Sequence, residues 1–192
     1  GRSGSGIRMK LASQVFAIMS GCATDGQIRK TWVSIKKYLK DPELGGFRLG
    51  TDFRTVYMDL GRAFGFAYGD KENGAFFNHM NVMLANALYK RGFIKEGREV
   101  FNSIYKMSTS DAAQIYPMIP EYFNNEGRGL YFYLTGSASW YIYTLIDEVL
   151  GVKFNFGKVM LKPKLVPEDF HGGDIKVKYN LKGKAVRHTF KR

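Results

Sequence analysis

The chain has 192 residues, of which 45% are hydrophobic and 15% aromatic, and its formal net charge is +12. That length and apolar content exclude a disordered chain and suffice for one hydrophobic core, or for one domain with a smaller piece attached. No apolar run reaches the roughly 18 residues needed to span a membrane, and the single cysteine, Cys22, excludes an internal disulfide framework and fits a reducing compartment.

The first ten residues, GRSGSGIRMK, carry no apolar signal-peptide core and do not begin with Met, so the chain reads as a piece of something larger. Leu11, Val15, Ile18 and Met19 then fall on one helical face, and Gly21 is a natural stop. Thr24 or Asp25 can cap a second helix, with Ile28, Trp32, Ile35 and Leu39 on one face and Asp41-Pro42 as its end. A loop from Gly45 to Gly69 follows. Its length is unusual inside a compact domain and such loops are often functional.

Residues 71–79, Lys-Glu-Asn-Gly-Ala-Phe-Phe-Asn-His, gather a cation, a carboxylate, a flexible Asn-Gly step and an imidazole just before an apolar helical segment. The expected helix places Phe76, Met80, Met83, Leu84 and Ala87 inward and stops at Gly92. A helix start offers free amides and a positive dipole end, which favour an anion. His79 can donate to a phosphate or sugar oxygen, or it can be a structural helix histidine. Local sequence leaves both readings open, as it does for Lys71 and Glu72, which can equally be ordinary first-turn charges.

A further helix is expected over about Lys95 to Met107, with Val100, Phe101, Ile104 and Tyr105 as its apolar stripe. A second long loop, Ser108 to Tyr133, carries Pro117, Pro120 and Glu121. The run Leu134-Thr135-Gly136-Ser137-Ala138-Ser139-Trp140 opens the next helix, which ends at Gly151. Thr135 as N-cap, with the Gly136 and Ser137 amides, would form an anion cradle; close helix packing through small residues is the alternative.

Paired carboxylates at Glu72 and Glu121 could serve glycoside hydrolysis or bind sugar hydroxyls. The loop aromatics Phe64, Phe66, Tyr68, Tyr116, Tyr122, Phe123, Tyr131 and Tyr133 suit either sugar stacking or a core. Three histidines and one cysteine, widely scattered, give no zinc spacing, and no metal is expected. From Phe154 to Leu165 and from Asp174 to Phe190 the pattern reads as strands, with a hairpin turn at Lys182-Gly183. Residues 152–192 hold eleven Lys or Arg against three Asp or Glu. Because these charges alternate with apolar residues, the solvated face of a sheet is favoured over a polyanion-binding tail.

Lys71-Glu72-Asn73-Gly74-Ala75-Phe76-Phe77-Asn78-His79 resembles the Lys-Glu-Asn-Gly-Gly-x-Phe-x-His motif of the inverting β-glucan phosphorylases, glycoside hydrolase family 94 and its relatives. Leu134 to Trp140 resembles their Leu-Thr-Gly-Thr-Ala-x-Trp motif. Ala12-Ser13-Gln14-Val15 through Ser20-Gly21 is similar to their Asn-Ala-Gln-Ser-Trp…Ser-Gly helix. The motifs occur in family order, over about residues 8 to 167.

The resemblance implies a mainly α fold: residues 1–151 as the C-terminal part of an (α/α)6 toroid, and residues 152–192 as part of a small β, jelly-roll-like flap. It implies that His79, Thr135 and Gly136 bind inorganic phosphate, a co-substrate with no further cofactor, while Lys71, Glu72 and Glu121 contact the sugar. The family often has Gln at the place of Glu121. Ala75 for Gly and Asn81-Val82 for Asn-Pro-Trp mark a divergent subgroup, and the wording YGDKENGAFF and IPEYFNNEGRG resembles phosphorylases of β-1,3- or β-1,2-oligoglucans. The catalytic acid, an Asp in a Trp-Asn-Asp-like segment, has no counterpart in residues 1–70 and is expected upstream, as is a phosphate-binding Arg. The implied partners are a β-glucan oligosaccharide and phosphate, with no nucleic acid and no membrane, in a cytoplasmic homodimer of the full-length protein. A toroid cut part-way round would leave Leu11, Val15, Ile28, Trp32, Phe76 and Met83 without partners. An inverting hydrolase on the same toroid and a non-catalytic polyanion- or glycan-binding module are the alternatives.

Overall fold

Helix formation follows the apolar spacing through the first part of the chain. A computed structural model describes residues 2–3, 6–133, 135–181 and 183–192; Leu134 of the Leu-Thr-Gly-Ser run and Lys182 of the expected hairpin turn lie outside them. A short hairpin, β1 (Arg2–Ser3) and β2 (Gly6–Ile7), precedes α1 (Leu11–Met19), whose Leu11, Val15 and Ile18 are fully buried. Helix α2 (Asp25–Tyr38) starts at Thr24 with a capping box: Thr24 Oγ1 accepts from the Gln27 amide at 3.3 Å and Gln27 Oε1 accepts from the Thr24 amide at 2.8 Å.

The Gly45–Gly69 segment contains only two short 3-10 turns, Met58–Leu60 and Arg62–Gly65. It is organised by Arg48. The Arg48 guanidinium donates to Asp41 Oδ2 through Nη2 (2.8 Å) and Nε (3.2 Å), and through Nη1 to Asn125 Oδ1 (2.7 Å) and the Gly74 carbonyl (3.4 Å). It also lies 4.4 Å from the centre of the Phe76 ring. One side chain thereby ties the end of α2 to the Lys71–Gly74 turn and to the loop around Asn125.

Strand β3 (Phe76–Phe77) runs directly into α3 (Asn78–Lys90), and α4 (Ile94–Ser108) folds back after Gly92. Helix α3 packs on α1, α4 and α5 (Gly136–Thr144). Strands β4 (Tyr122–Phe123) and β5 (Gly129–Leu130) complete an antiparallel sheet in the order β3-β4-β5, with Phe76 opposite Phe123 and Tyr122 opposite Leu130. Helix α5 continues as a π-helical turn over Leu145–Val149. Two separate hairpins end the chain: β6 (Val152–Asn155) with β7 (Lys158–Leu161), and β8 (Ile175–Leu181) with β9 (Lys184–Phe190). The fold is thus helical with small antiparallel sheets. Among the described residues no helix is long and apolar enough to cross a membrane.

Several expectations are corrected. Phe76 belongs to a strand, so Lys71 and Glu72 sit in a tight turn before that strand and not in the first turn of a helix. Tyr105 faces solvent on α4, while Gly97 and Met107 join Val100, Phe101 and Ile104 inside. Phe154–Leu165 is a hairpin and a following segment, since Phe156-Gly157, both at positive φ, turn the chain. The 108–133 loop holds two strands. Leu11, Val15, Ile28 and Phe76 are completely buried within this chain, and Trp32 and Met83 pack on its core, so these stripes do not lack partners.

Burial alone pushes the Asp41 carboxyl up, but the Leu44 and Glu43 amides and the Arg48 guanidinium outweigh it and hold the group below its ordinary value of 3.8. Its stabilising contribution is therefore present above about pH 4 and is lost as pH falls through the lowered folded value. Asp41→Asn is expected to cost about 1–3 kcal/mol at pH 7. In thermal melts between pH 7 and pH 2 the gap to the unaltered chain narrows in acid.

Candidate functional site

The three-stranded sheet is the device that gathers the candidate residues. Glu121 precedes β4, and its backbone is fixed on both sides: its amide donates to the Tyr131 carbonyl (2.7 Å) and its carbonyl accepts from the Asn78 amide (2.8 Å). Asn78 Nδ2 donates to the Pro120 carbonyl at 3.0 Å inside the core. The start of α3, the Glu121 strand and the Tyr131 loop are thereby bonded into one unit.

The Lys71–Gly74 turn joins it from the β3 side. Asn73 Nδ2 donates to the Phe66 carbonyl (2.8 Å) and closes the turn. Gly74 is required here: its φ is +79°, and a Cβ would lie 2.2 Å from the Tyr68 ring. Lys71 Nζ lies 3.7 Å from the centre of the Tyr131 ring. Lys71 and Tyr131 both have positive φ, +41° and +55°, without being glycine. Such backbone strain clusters at ligand-binding sites. Glu72 Oε1 pairs with Arg62 at 3.2 Å; Glu72 Oε2 is shielded from solvent and has no hydrogen-bond partner among the described residues.

Tyr122 is buried and feels three carboxylates. Burial first, then the charges of Asp70, Glu121 and Glu72 with Tyr131 alongside, push its hydroxyl up to about 12. Glu72 and Glu121 therefore both act on the Tyr122 hydroxyl through their charge. Glu121 also acts on His79, whose imidazole burial pushes below 6.5 while the Glu121 charge pulls it partly back.

His79 stands in the first turn of α3, and its ring packs against the start of α5. A Cβ on Gly136 would lie 2.7 Å from His79 Cε1 and 2.9 Å from Nδ1, so only glycine admits the ring. Thr135 caps α5: its Oγ1 accepts from the Ser137 amide at 3.0 Å and lies 2.9 Å from Ser137 Oγ. Trp140, one turn on, flanks His79 with ring centres 5.8 Å apart. Trp140 was not among the candidates, although its spacing of four from Gly136 puts it on the same helical face.

The structure thus brings His79 and Gly136 into contact, with Thr135 adjoining, and places Lys71, Glu72 and Glu121 around Tyr122 and Tyr131 next door. The loop aromatics divide. Phe64, Tyr122 and Phe123 are core, whereas Tyr116, Tyr131 and Tyr133 are exposed. Among the described residues no three His, Cys, Asp or Glu groups come together as a metal site.

A half-buried imidazole thus faces the start of a helix, next to a cluster of carboxylates and aromatic rings. The catalytic domain of the Glycosyl hydrolase 94 superfamily matches residues 3–151, and the chain belongs to that family. It is 25% identical over 205 residues to a cellobionic acid phosphorylase of Neurospora crassa, covering 94% of this chain and 26% of that protein. It is 25% identical over 178 residues to an N,N'-diacetylchitobiose phosphorylase of Vibrio furnissii, covering 88% and 22%. It is also 25% identical over 181 residues to a solabiose phosphorylase of Paenibacillus borealis, covering 88% and 23%. The chain spans about a quarter of the length of these curated relatives.

Gly136→Ala should expel the His79 ring from its seat. In histidine NMR titrations, His79 of the unaltered chain is expected to titrate below 6.5, and in Gly136→Ala to move back towards 6.5. An unchanged titration would mean the ring does not depend on Gly136 for its burial.

Proposed function

We propose that this chain is part of a glycoside phosphorylase and that the junction of α3 and α5 holds inorganic phosphate. The observation that carries this reading is the His79 ring seated on Gly136 at a helix N-terminus. The first-turn amides of a helix have no intrahelical acceptors and face the positive dipole end, which suits a phosphate dianion. His79 adds a side-chain donor at the same edge, and Thr135 adds another when its hydroxyl turns from Ser137 Oγ to the anion.

The reaction is phosphate-dependent, inverting cleavage of a β-glucan or β-glucooligosaccharide to α-glucose 1-phosphate. Phosphate attacks the anomeric carbon in line, and a carboxylic acid outside residues 1–192 protonates the leaving oxygen. No general base is required, because phosphate is already an anionic nucleophile; an inverting hydrolase needs a second carboxylate to activate water. Lys71, Glu72 and Glu121 contact the sugar. The unmatched Glu72 Oε2 supports this role, since a sugar hydroxyl supplies the donor it lacks. The five α-helices of the described residues form part of an (α/α)6 toroid, and the terminal hairpins part of a β flap. The whole protein works as a cytoplasmic homodimer.

His79→Ala is expected to weaken phosphate binding by about 1.5–3 kcal/mol, the value of a charge-assisted hydrogen bond, as read by calorimetry. With the upstream residues restored, phosphate and β-glucooligosaccharide should yield sugar 1-phosphate, while residues 1–192 alone yield none. In that longer protein Glu72→Gln should raise KM for the sugar with little change in the pH profile. Loss of one limb of that profile would assign Glu72 to proton transfer and favour a hydrolase.

A further inference from the structure

Helices α3 and α5 run side by side in the same direction, and they are joined at three heights. At the start, His79 lies on Gly136. Half-way along, Asn86 Nδ2 donates to Thr144 Oγ1 at 3.2 Å, both groups fully buried. His79 and Asn86 are seven residues apart and Gly136 and Thr144 eight, so the two helices keep nearly the same register over two turns.

The third joint closes the far end and comes from outside both helices. Lys164 Nζ donates to the Tyr89 carbonyl in the last turn of α3 at 2.7 Å and to Glu148 Oε2 in the π-helical turn of α5 at 2.5 Å. Glu148 is completely buried, and its other oxygen accepts from Lys153 Nζ at 2.8 Å. Lys153 also pairs with Asp147 at 2.5 Å. The Lys164 backbone is pinned there too: its amide donates to the Val149 carbonyl at 3.0 Å, and the Lys162 amide to the Gly151 carbonyl at 2.8 Å. Gly151 must be glycine, because a Cβ would meet the Lys162 carbonyl carbon and oxygen at 2.1 and 2.0 Å.

We propose that Lys164 is a positioning residue for the anion site, holding α3 and α5 in axial register from their C-terminal ends. The inference rests on the phosphate reading for its functional meaning. A cation at two helix C-termini is favoured by both dipoles. Because packed helices shift between discrete arrangements and do not deform smoothly, releasing one end lets the pair slide. The displacement reaches His79 and Gly136, about 15 and about 18 Å away by helix rise. By reciprocity, an anion bound between the helix starts tightens the docking of residues 152–165.

The test uses the full 192-residue chain with Lys164→Met, and Lys158→Met on the exposed β7 as control. Backbone and histidine NMR spectra are recorded below the melting temperature, and inorganic phosphate is then titrated. The expected result is a shift of the Gly136 and Ser137 amides and of the His79 ring signals in Lys164→Met alone, with phosphate binding weakened about tenfold. Changes confined to residues 89–93 and 145–165, with Gly136 and His79 unmoved, would overturn the proposal. If the unaltered chain binds no phosphate, the functional reading fails while the Gly136 and His79 signals still decide the positioning role. Should Lys164→Met not fold, Lys164→Arg, which keeps the charge on a wider head, is read by the same signals.

Discussion

Burial of α3 on almost every side is the constraint from which the rest of the molecule follows. Nine of its residues are buried, from Asn78 to Tyr89. A helix with apolar and small groups all round needs partners all round, and α1, α4 and α5 supply them. Truncating a side chain such as Leu84 or Leu88 would cost about 2–5 kcal/mol through lost burial and the cavity left behind. The polar groups on this helix then decide where its partners sit. Asn78, Asn81 and Asn86 reach the Pro120 carbonyl, the Phe47 carbonyl and the Thr144 hydroxyl in turn. Each bond is satisfied at one register only. Among the described residues the Oδ1 atoms of Asn81 and Asn86 stay unmatched, a cost apolar residues would avoid; the donated bonds offset it by fixing position.

From that placement the site follows with little further choice. The first turn of α3 carries His79 to the edge where α5 begins. Strand β3, continuous with α3, recruits β4 and β5, and these bring Glu121 and Tyr131 alongside. Arg48 secures the Lys71–Gly74 turn from the other side through the Gly74 carbonyl and Asn125. The groups gathered at this edge are held by buried bonds and ring packing, so the geometry exists before any ligand arrives. Preorganisation of this kind lowers the cost of ordering a site on binding.

The helices were legible in the sequence because their apolar residues repeat at the helical period, as at Leu11, Val15 and Ile18, and because Thr24 is a cap residue just before the second stripe; its partner Gln27 emerged only in the structure. The sheet was not legible. Strands of two residues show no alternation, and Phe76 at an apolar spacing from Met80 and Met83 imitates a helix turn. Tyr105 misled for the opposite reason: an aromatic at helical spacing can still face water. The residue types at the candidate site were visible as two short runs, since glycine and small polar residues at a helix start carry a local meaning. Their convergence was implied by the family resemblance alone and not by the local pattern, because it depends on Asn86 meeting Thr144 and on Glu121 bonding to Asn78 and Tyr131, contacts between segments far apart in the chain. Lys153 and Lys164 were read as part of a basic, solvated surface. The fold turns both inward onto Glu148.

The central claim is that an anion is taken up where His79 meets the start of α5. Its most direct measurement is an NMR titration of the 192-residue chain with inorganic phosphate. The account predicts that the Gly136 and Ser137 amides and the His79 ring shift together and saturably, and that His79 titrates at higher pH with phosphate bound. Saturable shifts on the basic hairpin of residues 175–190, with His79 and Gly136 unmoved, would contradict it and assign anion binding to the charged C-terminal strands instead.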